Sequence, residues 1–482
     1  MNAEEPLLTG SLDHERYDAI TQHPSKGQLG YEVTIKSESK FILKSVGPLA
    51  VTFFLQSLLS ITTIFAAGRL GPRELSAATL AVCTFNITGL AVYQGMATCL
   101  DSFCSQAYGA QKPLHVGMYF QRCSLMMLVF TVFPLSFIWW YSGSFLKKLI
   151  PDEELAMMAQ SYLRINIIGA PGLLLFETGK RYLQAQHIFN AGTYVLLIVA
   201  PLNFLFNWLL VWHPVTGLGF IGAPIAVSII YWLTSILLLC YVLFIDGKKC
   251  WGGIDFVKSC QNWHPMLKLA LPGLIMVEAE YLAFEILTIF AASFGTNQLA
   301  AQSIAANVGS LAFQLPFAAA VAISTRIGHF VGMEDIHAAK LVTRISFGLG
   351  YLLALFNFCV VFFGRRFLGT LLTSSEEVLV ISDHILTLVA INQVSDNVNV
   401  MCAGVLRGQG RQRIGSLLNL VSYYVVALPV GYYLAFCANF QLSGLWVGII
   451  SGVFTLAVSE TVSIIKCNWV QVLIDTKASH DH

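Results

Sequence analysis

The sequence predicts an all-α integral membrane protein with twelve transmembrane helices in two pseudo-symmetric six-helix lobes. Composition is the first reason. Of 482 residues, 56% are hydrophobic and only 11% charged, against about 25% charged in soluble domains. The second is a series of apolar runs. A bilayer needs about 20 apolar residues per helix, and such runs recur near 42–67, 76–98, 117–140, 157–178, 188–212, 217–245, 267–292, 299–323, 341–364, 379–402, 414–437 and 442–465. The third is an internal repeat. At an offset of 223–224 residues, GPRELSA (71–77) lies over GTNQLAA (295–301), and RYLQAQHIFNAG (181–192) over GVLRGQGRQRIG (404–415). Six spans per copy give both copies the same orientation, with a substrate cavity expected between the lobes.

Along the chain, residues 1–40 are polar and without a cleavable apolar leader, so they are expected to form a flexible cytoplasmic tail. Glu4-Glu5-Pro6-Leu7-Leu8 in that tail faintly matches an acidic dileucine sorting signal. Helices 1–6 form an N-lobe at 41–245, and residues 246–265, with CWGG at 250–253, link it to a C-lobe of helices 7–12 at 266–465. Residues 466–482 are a second cytoplasmic tail. Lys and Arg gather in the N-terminal tail and alternate loops, as at Lys180, Arg181, Lys248, Lys249, Arg326, Arg407 and Arg411. The opposite loops hold Arg69, Arg73, Lys147, Lys148, Arg365 and Arg366, so the positive-inside rule puts both termini in the cytoplasm. The membrane is plasma or vacuolar. The sequon Asn86-Ile87-Thr88 falls inside the second span and should be unmodified. The cysteines are scattered singly, without ligand spacing, and read as small apolar fillers.

The seventh span, LKLALPGLIMVEAEYLAFEILTIFAA, carries Glu278, Glu280 and Glu285 in an apolar setting. A carboxylate in hydrocarbon costs a few kcal/mol, so it marks a functional site by default. Burial raises a carboxyl's proton affinity toward the range where it binds and releases protons near neutrality. Glu280 and Glu285 lie five residues apart, about 140° around a helix, whereas Glu278 and Glu285 share a face. Either the helix bends after Pro272-Gly273, or one acid serves the lobe interior and another the cavity.

The motifs GxLGxxELxAxTLA (68–81), NITG (86–89), GMATCLDSFCSQAYGAQ (95–111), LAAQS (299–303), GVLRGQGRQRIG (404–415) and YYVVALPVG (423–431) occur together in one order. With EYLAFE (280–285) they resemble the multidrug and toxic compound extrusion family, in its eukaryotic, fungal-like branch. The resemblance covers residues 40–465 and implies export of organic cations or metabolites against an inward cation flux, usually protons. It places the coupling acids at Glu280, Glu285 and Asp396, with an N-lobe aspartate at Asp101. The tryptophans usual after the first glutamate are Tyr281 and Leu282 here, and Glu278 is additional.

Each candidate has a plainer reading. Asp396 lies among amides, and with them it forms either a packing network or a coupled carboxyl pair with Glu280. Asp101 is a solvated helix end or a coupling or gating residue, and Glu177 with Lys180 and Arg181 forms either a snorkelling salt-bridge cluster that stabilises the cytoplasmic gate or a direct substrate contact. Substrate-cavity candidates are Tyr281, Phe284, Asn392, Gln393, Asn397 and Tyr424, whose ring faces and amides suit an organic cation. Arg164 needs a partner the sequence does not name.

The expected function is proton-coupled antiport of organic cations by alternating access, performed by a monomer without cofactor or metal. Alternatives are a sodium-coupled exporter of the same fold, or a lipid-linked precursor flippase, which would call for a cavity rich in Arg and Lys. An enzyme is disfavoured because His187, His329 and His384 are isolated from one another in sequence. A net charge of +1 gives no sign of a nucleic-acid partner.

Overall fold

The computed structural model describes residues 32–149, 152–373 and 375–480. Most of the expected N-terminal tail, with its dileucine-like stretch, lies outside them. Twelve long helices follow one another: α1 (Ile35–Gly68), α2 (Pro72–Gly109), α3 (Pro113–Trp140), α4 (Glu153–Ala185), α5 (Asn190–Trp212), α6 (Gly219–Phe244), α7 (Trp263–Ala292), α8 (Thr296–Gly332), α9 (Ile336–Leu372), α10 (Glu376–Gly408), α11 (Gln412–Cys437) and α12 (Gln441–Ile465). Ten are long and apolar enough to cross a membrane. The others, α4 and α7, are just as long, at 33 and 30 residues, and carry the ionisable groups Glu177, Lys180 and Arg181 or Glu278, Glu280 and Glu285. Each expected apolar run coincides with one helix.

The helices outrun those runs. Thr34 caps α1 through a capping box with Ser37, so α1 begins inside the expected tail. Likewise α7 begins at Trp263, inside the expected linker. The C-terminal segment forms a further helix, α13 (Trp469–His480), which buries Val472 and Leu473 against the bundle. These are short stretches at the ends of polar segments, and composition averaged over the segment hides them.

Three apolar clusters hold the bundle. One is built mainly from the N-lobe helices and takes in Met266 and Ala270 at the start of α7, and one lies within α7–α12. The remaining one crosses between lobes, packing Ile42, Val46, Leu49 and Phe53 of α1 on α8 and α10. It sits at the end of the bundle where the described chain begins and ends, the terminus-bearing end. There the second half of α2 also packs on α7, α8 and α10. The backbones touch: a Cβ on Gly109 would stand 2.0 Å from the His329 carbonyl oxygen, and one on Gly332 2.0 Å from that of Gln106. Only glycine fits this crossing. Arg326 of α8 donates to Glu38 of α1 through Nε at 2.6 Å and Nη2 at 2.7 Å, both residues being enclosed. The lobes are thus closed on each other at the terminus-bearing end.

Gly332→Ala should lower stability by about 1–3 kcal/mol through overpacking, while Gly348→Ala, with nothing within 4 Å, should leave it unchanged; thermal unfolding in detergent compares them. Removing one partner of a buried pair costs about 3–5 kcal/mol. Glu38→Gln should therefore produce the larger fall in melting temperature, and an unchanged melting temperature would remove the pair from the closure.

Candidate functional site

Between the lobes lies a cavity of about 680 Å³, inside the ~300–1,000 Å³ range of small-molecule sites. Its N-lobe wall is Phe53, Gln56, Ser57 and Ser60 of α1 with Asn86 and Gln94 of α2. A π-helical turn at Asn86–Ala91 interrupts α2 at this depth. Its C-lobe wall is Met276, Glu280 and Tyr281 of α7, Asn307, Gln314 and Phe317 of α8, and Asn399 of α10. The cavity runs to Leu368, Leu371 and Leu372 at the end of α9 distant from the termini. Arg181 and Arg407 form its floor at the closed end.

Asp101 anchors that floor. It is buried, not a solvated helix end: α2 enters the inter-lobe crossing there instead of emerging into solvent. Arg181 of the same lobe donates to both its carboxylate oxygens, and Nε of Arg407 from the other lobe stands 3.9 Å away. Ser102 donates to the Arg407 carbonyl oxygen at 2.6 Å, and Gln412 donates to Ser102 at 2.8 Å, tying α2 to the C-lobe. Nearby, the His187 and His329 rings meet across the lobes at 4.7 Å. Burial, helped by Arg326, pushes His187 in the α4–α5 loop down to about 3, so the histidine bears no charge in this closure.

The Glu177–Lys180 cluster does not snorkel. Both side chains are buried inside the N-lobe, where Glu177 accepts from Lys180 Nζ at 2.8 Å and Gln56 Nε2 at 2.7 Å. Pairing removes the need to reach water, and Phe176 and Phe53 face the ammonium at 4.9 and 5.3 Å. Arg164 finds its partner in the Trp140 carbonyl oxygen at 3.0 Å.

The C-lobe acids are differently placed. Glu280 reaches the cavity wall, and Asp396 lies behind it, buried, within electrostatic range and bonded to Asn399. Among the described residues, no cation lies within 4 Å of either. Glu278 has a buried oxygen, Oε1, without a hydrogen-bond partner among the described residues, and neighbours Tyr281 and Tyr424. Glu285 points elsewhere, within range of Cys83 of α2.

Of the cavity candidates, Tyr281 lines the wall. The others do not. Gln393 and Asn397 turn into the lobe, where Asn357 of α9 donates to both at 3.3 Å. Asn392 is buried with its Oδ1 unpartnered among the described residues. Phe284 packs on Trp446 at 6.1 Å, and the Tyr424 hydroxyl donates to the Ala279 carbonyl oxygen at 3.3 Å. Position along a polar helix was legible, but its facing was not.

Sequence reasoning also missed Glu460 of α12, which is fully enclosed. The signal was present as a lone acid in the last apolar run. The default reading of such an acid as functional would have found it.

The MatE family model matches this chain twice, at residues 48–209 and 272–433, so the two copies stand 224 residues apart, one in each lobe. An uncharacterized transporter of Saccharomyces cerevisiae is 40% identical over 468 residues, or 97% of this chain. The chain spans 66% of that protein's length. Protein DETOXIFICATION 16 of Arabidopsis thaliana is 32% identical over 95% of this chain and 93% of its own. The solved eukaryotic MATE transporter AtDTX14 superposes with a TM-score of 0.86 at 25% identity, over 92% of this chain and 99% of that one. With the twelve helices and the two-lobe cavity, these matches establish that the chain belongs to the MATE family of transporters.

Proposed function

We propose that this transporter exports organic cations in exchange for protons by alternating access, with Glu280 and Asp396 binding the two in turn. The observation that carries the proposal is the contrast in charge compensation between lobes. In the N-lobe, Glu177 and Asp101 are neutralised by Lys180 and Arg181. The repeat places Gln56, a neutral residue, opposite Glu280. The acids without an ion-pair partner within 4 Å among the described residues flank or line the cavity from the C-lobe.

Low-dielectric surroundings favour either a bound proton or a bound cation on such a carboxylate. Ionised, Glu280 attracts an organic cation, and Tyr281, Phe53 and Phe317 offer ring faces to it. Protonated, it loses that attraction. Coupling follows because each ligand has a different affinity for the two states of the site. Of the floor arginines, Arg181 is held by Asp101 and Arg407 stands within electrostatic range of both Asp101 and Glu280, so Glu280 is the acid of the wall without an ion pair within 4 Å among the described residues. That balance favours a cation over an anionic lipid head group. With both termini in the cytoplasm of a plasma or vacuolar membrane, the cavity faces the exterior or the vacuolar lumen, and the closure at the other end is the cytoplasmic gate.

In proteoliposomes, efflux of the fluorescent organic cation ethidium under an imposed pH gradient should collapse with a protonophore and be indifferent to sodium. Glu280→Gln should lower this driven flux at least about tenfold, the size of an ordinary coupling energy, with melting temperature unchanged. Asp396→Asn should do the same. Driven flux of parental rate in Glu280→Gln sinks the assignment, and dependence on sodium alone transfers the coupling role to that ion.

A further inference from the structure

Glu460 lies on α12 with no exposed surface, and neither carboxyl oxygen has a hydrogen-bond partner among the described residues. An isolated carboxylate so enclosed is prohibitively expensive, so this packing accommodates the neutral acid. Its neighbour is Arg407, whose Nε and Nη2 also lack hydrogen-bond partners among the described residues. Arg407 belongs to the floor of the cavity and to the closure, since its Nε approaches Asp101 of the other lobe at 3.9 Å. The remaining titratable groups facing Glu460 are Cys402 of α10, Glu280 of α7 and Tyr423 of α11. Arg411, at the start of α11, donates instead to the Ser463 carbonyl oxygen at 3.3 Å.

We propose that Glu460 is a third proton-binding carboxyl of the C-lobe and that Arg407 exchanges partners between Asp101 and Glu460 as the lobes move; this rests on the antiport reading above. While the terminus-bearing end is closed, Asp101 of the N-lobe draws the guanidinium and Glu460 keeps its proton. When the lobes part there, Asp101 leaves with the N-lobe and Arg407 retains two unused N–H donors. The O–H bond of Glu460 then breaks, its proton passes to water at the opened end, and the carboxylate formed pairs with Arg407. After the lobes part, the arginine is not left buried without a counter-charge, which a parting without this exchange would require. Opening of the gate and release of a proton become one event. The two acids serve different ends of the cycle: Glu280 exchanges with substrate at the cavity wall, and Glu460 discharges at the gate.

The test is Glu460→Gln, which has the shape of the neutral acid and cannot release a proton, beside Glu460→Asp and the parent, all in proteoliposomes with ethidium. The expected result is at least about a tenfold loss of gradient-driven flux in Glu460→Gln. Ethidium exchange at equal pH on both sides should persist within about threefold, and Glu460→Asp should restore driven flux. Driven flux of Glu460→Gln equal to the parent's overturns the proposal and leaves the antiport reading intact. Loss of driven flux and exchange together in both variants makes Glu460 a packing residue and also overturns it. A parent that moves no ethidium under the gradient counts against the antiport reading itself. If Glu460→Gln fails to fold, carbodiimide labelling of the parent, mapped by mass spectrometry, decides. Modification of Glu460 that falls as pH rises supports the proton site, and its absence at every pH contradicts it.

Discussion

A charge inside a bilayer must be matched by another charge or neutralised by a proton, and the arrangement of this molecule follows from how each ionisable group meets that demand. Glu38 is matched by Arg326, Asp101 by Arg181 and Glu177 by Lys180. These pairs are enclosed, and the first ties one lobe to the other at the terminus-bearing end. Glu280, Asp396 and Glu460 have no such match within 4 Å among the described residues. The acids without a partner gather in the C-lobe, and there the proposed exchange is assigned.

The same accounting explains the shape of the cavity. Where pairs, close glycine contacts and the shared cluster around Phe53 join the lobes, their helices are in direct contact. Toward Leu371 and Leu372 the walls are apolar or amide and, among the described residues, make no ionic bond across the gap. The closed end is therefore held by interactions of defined geometry, and on the alternating-access reading proposed above it serves as the gate. Arg407 stands at the junction of both systems, in the floor of the cavity and in range of Asp101 and Glu460.

Much of this was legible in the sequence. Hydropathy alone located all twelve helices, because lipid forces every spanning backbone to satisfy its own hydrogen bonds. The 223–224-residue offset anticipated the two lobes. The divergence of Glu280 and Glu285 followed from five residues of helical rotation, and the structure turns one to the cavity and the other toward Cys83. What escaped was which face a polar residue presents. Gln393 and Asn397, four apart, share the face toward Asn357, whereas Asn399 reaches the cavity. Composition marks the tenth span as polar without saying toward what. Asp101 and Arg181, eighty residues apart, could be paired only by the fold, because nothing local links them.

The central claim is that organic cation and proton compete for the same C-lobe carboxyls. Its most direct test is the proton count on binding. The purified protein, in weakly buffered detergent solution near neutral pH, is mixed with ethidium while a pH indicator is followed. The account predicts release of protons into solution, saturating with occupancy of the site and absent when Glu280 and Asp396 are both made neutral amides. Saturable binding with no change in proton number would contradict it, because two ligands that do not displace each other cannot be exchanged by these residues.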